Sequence, residues 1–171
     1  MTSKNLFLKL QREDMKRRVW SVALSMLSFF LLYTVVCAMK VSNYAYRIKT
    51  MGEYDPYVKE WVYNDIIKFI GPANELVIII TIICAVVCGL SGFFYLHSKK
   101  KVDLFHSIPV KRENLFAVTY LNGLLIYIVP YLISLLVCFI ILAANKYMVM
   151  EVFLTGLRAF GVNVLYYTLM Y

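Results

Sequence analysis

The chain has 171 residues, of which 61% are hydrophobic and 16% charged, with a mean hydropathy of +0.70. Soluble domains carry about 45–50% apolar and about 25% charged residues and could not cover this much apolar surface, which excludes a soluble fold and implies a protein of the membrane. The net charge of +8 would suggest nucleic acid in a soluble protein, but no basic stretch here is interleaved with aromatics; in a membrane chain Lys and Arg set orientation and meet anionic lipid, so membrane lipids and no nucleic acid are expected as partners.

The leader, residues 5–18, contains no Gly or Pro. It is predicted to be an amphipathic helix along the inner leaflet, with Leu6, Phe7 and Leu10 on one side and Lys9, Arg12 and Lys16 on another. Residues 19–39 form the first span, uncharged, too long for a signal-peptide core and followed by no small-x-small cleavage site. Between Pro56 and Gly71-Pro72 lies a segment with Val58, Val62, Ile66 and Phe69 on one helical face and Lys59, Glu60, Asn64 and Lys68 mostly elsewhere. This reads as an interfacial helix lying on the extracellular membrane surface, with partner docking as the alternative.

Residues 76–95 form the second span, which carries a stripe of small residues, Thr81, Ala85, Cys88, Gly89 and Gly92, on one face. Such a stripe lets another helix approach closely, within the chain, in a dimer or along a substrate path. Residues 115–144 form the third span, interrupted by Pro130; a helix of that length reaches about 45 Å, so it must tilt, kink or project. Residues 157–171 reach about 22 Å, short of the roughly 30 Å hydrocarbon core, and read as the start of a fourth span in the front portion of a longer protein. The fold class is therefore all-α: a polytopic helical membrane protein with three full spans, part of a fourth, and amphipathic N-terminal and extracellular interfacial helices.

Basic density sets the orientation. The leader carries Lys4, Lys9, Arg12, Lys16, Arg17 and Arg18, and residues 96–114 carry Lys99, Lys100, Lys101, Lys111 and Arg112. The longer segment 40–75 balances its cations with acids, and residues 145–156 hold only Lys146 as a cation. The N-terminus and the segment 96–114 are thus expected in the cytoplasm.

The chemistry-bearing residues are sparse. Cys37, Cys84, Cys88 and Cys138 all lie in apolar runs and read as packing residues, without metal or disulfide. Gly89-Leu90-Ser91-Gly92 matches the GxSG string of intramembrane serine proteases, but the two histidines, His97 and His106, lie in the basic loop, where neither can serve as its base. The spans read as free of acids and bases, so a charged relay has no residues to run on. No catalytic, cofactor-binding or metal-binding residue is expected.

The cytoplasmic loop carries the most information. Asp103 can cap a short helix with Leu104, Phe105 and Ile108 on one side, ended by Pro109, with Lys111 and Arg112 at the membrane boundary. That leaves two readings, a rigid helix offering an apolar knob to the cytosol or a plain turn between spans. The run Leu104-Phe105-His106-Ser107-Ile108-Pro109-Val110-Lys111-Arg112, followed by Leu115 and Tyr120-Leu121-Asn122-Gly123, resembles the first cytoplasmic loop and third span of exporter-type (type 2) ABC transporter permeases. Their leader is similar too, running basic and helical straight into the first span, as Leu10–Arg18 does here. The resemblance implies that Asp103, Leu104, Phe105, His106, Ser107, Ile108, Pro109, Lys111 and Arg112 form a coupling element docking on a separate ABC ATPase subunit, and that a second permease subunit, identical or different, completes the path. It also implies a bacterial cell membrane, at least six spans per permease, and no nucleotide bound by this chain; Gly156 to Gly161 lacks the Lys-Ser/Thr of a phosphate-binding loop. The alternative function is a small multi-span scaffold or assembly protein without transport activity.

Overall fold

The computed structural model describes residues 3–51, 56–93, 112–147 and 149–171. The described residues are helical and contain no strand: α1 (Ser3–Arg17), α2 (Val19–Phe29), a π-helical turn (Phe30–Val35), α3 (Val36–Met51), α4 (Pro56–Ile70), α5 (Glu75–Phe93), α6 (Arg112–Ala144) and α7 (Met150–Met170). Four helical segments are long and apolar enough to cross a membrane. Their outward surface is apolar as well, with Leu27, Leu31, Ile79, Ile83, Leu90, Val129, Leu132, Leu136 and Ile140 exposed, which suits lipid and not water as the surrounding medium.

The first span and its continuation form one unbroken path, since α2, the π turn and α3 run end to end. Ser21, Ser25, Phe29, Tyr33, Cys37 and Val41 are buried at steps of four. In a regular α-helix such steps drift by about 40° each, so five of them would leave the face. The π turn inserts an extra residue in that path and brings Tyr33 and Cys37 back onto the buried side. α6 solves the same problem with width. Its buried face has two adjacent rows, Val118, Asn122, Ile126, Pro130, Ser134, Cys138 and Leu142 beside Thr119, Gly123, Tyr127, Tyr131, Leu135 and Phe139, and these rows pack against α1, α2, α5 and α7.

Four expectations are revised. The segment after residue 39 is no loop at first: α3 extends to Met51, and α4 returns antiparallel beside it. Trp61 meets Tyr44 edge-on at 5.9 Å, Asp65 accepts from Lys40 at 2.7 Å and from the Tyr44 hydroxyl, and Phe69 lies 6.1 Å from Tyr33. α4 has the expected amphipathic pattern, but Val62, Ile66, Phe69 and Ile70 are buried in the protein core, with α4 packed against α3 and α7. The last span is not a part: α7 begins at Met150 and has 21 residues, about 31 Å of helix, enough to cross. Finally, a span does hold a charge, because Arg158 lies exposed within α7; a long side chain there can snorkel back toward the interface.

Two turns set the helix order. Between α4 and α5, Gly71 sits so close to its own helix that a Cβ would lie 2.7 Å from the Ile67 carbonyl. Asn74 then caps α5, its Oδ1 accepting from the Leu76 amide at 3.1 Å while Nδ2 donates to the Phe69 carbonyl at 2.6 Å. After α6 the chain closes a Schellman motif, with the Tyr147 amide on the Leu142 carbonyl (2.9 Å) and the Lys146 amide on the Ala143 carbonyl (3.1 Å). The left-handed position in that motif, φ 62°, is occupied by Lys146, where glycine is usual and a side chain costs about 1 kcal/mol.

Because Asn74 satisfies a donor and an acceptor across the bend, Asn74→Ala is expected to lower stability by about 1–2 kcal/mol. Thermal unfolding of the purified protein in detergent reads it, and an unchanged midpoint would contradict the capping role.

Candidate functional site

The polar atoms of this apolar bundle are not scattered; they gather in a seam running from the α1 end toward the middle. Its anchor is Arg18, the corner residue between α1 and α2, which is only 3% exposed. Nη1 points to the Thr119 carbonyl and the Tyr171 hydroxyl, Nη2 to the Gly92 carbonyl, all at 3.4 Å. Asp14, one turn earlier, lies 3.2 Å from Nη2 and neutralises it. Asp14 also accepts from Asn122 Nδ2 at 2.8 Å, and the same amide donates to the Gln11 carbonyl at 3.0 Å. One guanidinium therefore ties α1, α5, α6 and residue 171, which follows α7, to a single point.

The sequence allows this cluster by leaving room for it. A Cβ on Gly92 would lie 2.8 Å from Arg18 Nη1, and one on Gly123 would lie 2.2 Å from the ring of Tyr171. On the exposed side of α1, Lys16 pairs with Glu13 at 2.8 Å and holds that carboxyl below the usual range, mainly through the hydrogen bond. The leader is thus packed along the first turns of α6, and Lys9, Arg12 and Lys16 face outward as its basic stripe.

Further in, the seam is built of phenols. Tyr33, Tyr127, Tyr131 and Tyr167 are fully buried. The Tyr33 and Tyr131 hydroxyls meet at 3.1 Å, Asn163 Nδ2 donates to Tyr131 at 3.0 Å, Thr81 and Tyr127 meet at 2.9 Å, and Tyr167 donates to the Gly123 carbonyl at 2.7 Å. The rings stack as well, Tyr127 on Tyr167 at 4.1 Å and Phe29 on Tyr131 at 4.9 Å. Asn122 Oδ1 and Asn163 Oδ1 are buried without a partner among the described residues, so the seam holds spare acceptor capacity inside the bundle. The arrangement can hold and orient polar groups. It offers no nucleophile paired with a base, and no group of three or more His, Cys, Asp or Glu among the described residues is placed to hold a metal ion.

Of the small-residue stripe, Thr81, Ala85, Cys88 and Gly92 are buried and Gly89 is half-buried, on the side of α5 that meets α2, α6 and α7. Gly89 lies against residue 171 and Gly92 against Arg18. Cys37, Cys84, Cys88 and Cys138 are free, buried thiols. The loop residues Asp103, Leu104, Phe105, His106, Ser107, Ile108, Pro109 and Lys111 lie outside the described residues, while Arg112 is exposed in the first turn of α6. The seam itself went unread in the sequence, where Tyr127 and Tyr131 pass for interfacial tyrosines. The signal was their register, because Thr119, Asn122, Gly123, Tyr127, Tyr131 and Ser134 fall on one helical face of α6.

No family model, curated protein or solved structure matches this chain.

Truncating Arg18 would strand Asp14 and three acceptors in a poorly hydrated pocket. Arg18→Gln is expected to cost about 2–3 kcal/mol, with Arg18→Lys in between because a single ammonium cannot reach all partners. Reversible denaturant unfolding in micelles measures both, and wild-type stability in Arg18→Gln would remove the guanidinium from its assigned place.

Proposed function

We propose that the chain is a membrane-spanning part of an ATP-binding-cassette exporter permease, coupled to a separate ATPase subunit through residues 97–114. The observation that favours this over a passive scaffold is the position of the Arg18 cluster. α5 enters the 97–114 segment and α6 leaves it, and both are tied to Arg18 near those ends, through Gly92 and Thr119. A push on the segment would therefore reach α1, α5 and α6 together. Without such a link, a docking loop could yield locally and leave the spans in place.

In this mechanism the apolar face of Leu104, Phe105 and Ile108 seats in a cleft of the ATPase, and Pro109 stiffens its exit. Nucleotide-driven closure of two ATPase subunits moves the segment, and the tie at Arg18 carries that motion into the bundle. The phenolic seam, its hydroxyls paired between helices, keeps the moving helices in register. A permease of this kind needs a second permease subunit, and at least six spans where the described residues supply four helices of spanning length. The N-terminus and the 97–114 segment face the cytoplasm of a bacterial cell, and α4 faces outside. ATP hydrolysis belongs to the partner.

Affinity purification of the tagged full-length gene product from native membranes tests this, with Phe105→Asp beside the parent. An ATPase that co-purifies with the parent and is lost in the variant is the expected result. Absence of an ATPase from both preparations would contradict the permease and favour the scaffold.

A further inference from the structure

At the opposite end of the bundle from Arg18, α3, α4 and the turn after α6 enclose a cleft of about 280 Å³. Its walls are of two kinds. Ile48, Val62, Ile66 and Val149 supply an apolar floor, and Lys59 and Lys146 supply cations. The side-chain ion pairs among the described residues are Lys16 with Glu13, Arg18 with Asp14 and Lys40 with Asp65, so neither of these lysines has a carboxylate within salt-bridge distance there. Glu151 is close by, but it accepts the hydroxyl of Tyr63, another lining residue. Both lysines are exposed at this cleft, so an anion seated there would be attracted by two cations at once.

Lys146 adds a second, independent point. It occupies the left-handed position of the Schellman motif that ends α6, the position where glycine is least strained. Backbone strain of this sort persists where the side chain has a use, and here the side chain lines the same cleft as Lys59. The long stem of each lysine can follow the apolar wall while its ammonium reaches the mouth.

We propose that this cleft binds an anionic amphipath: a phosphate or carboxylate headgroup held by Lys59 and Lys146, with the first methylenes of its apolar chain on Val62 and Ile66. A headgroup carrying its own cation, such as choline, places positive charge against the two lysines and is selected against. The site stands apart from the ATPase-coupling reading, since it lies at the other end of the bundle and requires no partner subunit.

The test is calorimetric titration of the full chain in phosphatidylcholine nanodiscs, using three probes: dihexanoyl phosphatidylglycerol, dihexanoyl phosphatidylcholine and inorganic phosphate. The glycerol lipid should bind at least about ten-fold more tightly than either of the others, and Lys59→Gln and Lys146→Gln should each weaken it by about ten-fold. Lys146→Gly separates function from folding. It relieves the strained backbone, so the unfolding temperature should rise while affinity for the glycerol lipid falls. Equal binding of the two lipids would overturn the proposal, as would full affinity in Lys146→Gly. Inorganic phosphate binding as tightly as the glycerol lipid would overturn its amphipathic part, because the apolar floor would then contribute nothing.

Discussion

A guanidinium cannot be left alone in an apolar bundle. Removing its water costs several kcal/mol unless opposite charge and acceptors replace it, and the end of the bundle that holds α1 is organised around meeting that demand for Arg18. Asp14 supplies the countercharge, while Gly92, in the last turn of α5, and Thr119, inside α6, offer carbonyls. Because those partners belong to different helices, satisfying one side chain fixes the relation of several segments. The corner between α1 and α2 lies at Arg18, whose side chain points into the bundle.

The same accounting explains the buried tyrosines. Between apolar helices in lipid there is little hydrophobic gain from association, so close packing and satisfied hydrogen bonds carry the specificity. Tyr127, Tyr131 and Tyr167 provide large flat surfaces for packing and one hydroxyl each, which finds a partner on another helix. Glycines at 92 and 123 make room for Arg18 and Tyr171 at the end of that seam. Two asparagine oxygens remain open in the seam, and the Thr34 hydroxyl is likewise buried without a partner among the described residues; all three can receive a further polar group.

Much of the fold was legible in the sequence, and what was missed has identifiable causes. Uncharged runs long enough to span give the first three membrane helices directly, because the bilayer penalises charge more than almost any other sequence feature. At the fourth, the apolar run was read from residue 157, whereas α7 begins at Met150, with Glu151 in its first turn and Arg158 exposed on its side, where a snorkelling side chain lowers the cost. The periodicity of Val58, Val62, Ile66 and Phe69 revealed a helix but not what would cover it. An apolar stripe fits lipid or protein equally well, and α3 continuing to Met51 decided for protein. The Arg18 cluster was beyond pattern reading. Its hydrogen-bonded partners are up to 153 residues apart, and no local spacing links them. Lys146 was visible only as the lone basic residue of its loop, since its backbone geometry depends on how α6 ends.

The account rests on the leader being part of the packed bundle and not a free amphipathic arm. Hydrogen–deuterium exchange of the full chain in lipid nanodiscs measures this directly. Amides of the second half of α1, around Gln11 to Arg17, should be protected nearly as strongly as the adjoining first turns of α2, and should lose that protection in Arg18→Gln. Rapid exchange of these amides in the unaltered chain would contradict the central role of Arg18, as would equal protection in both forms.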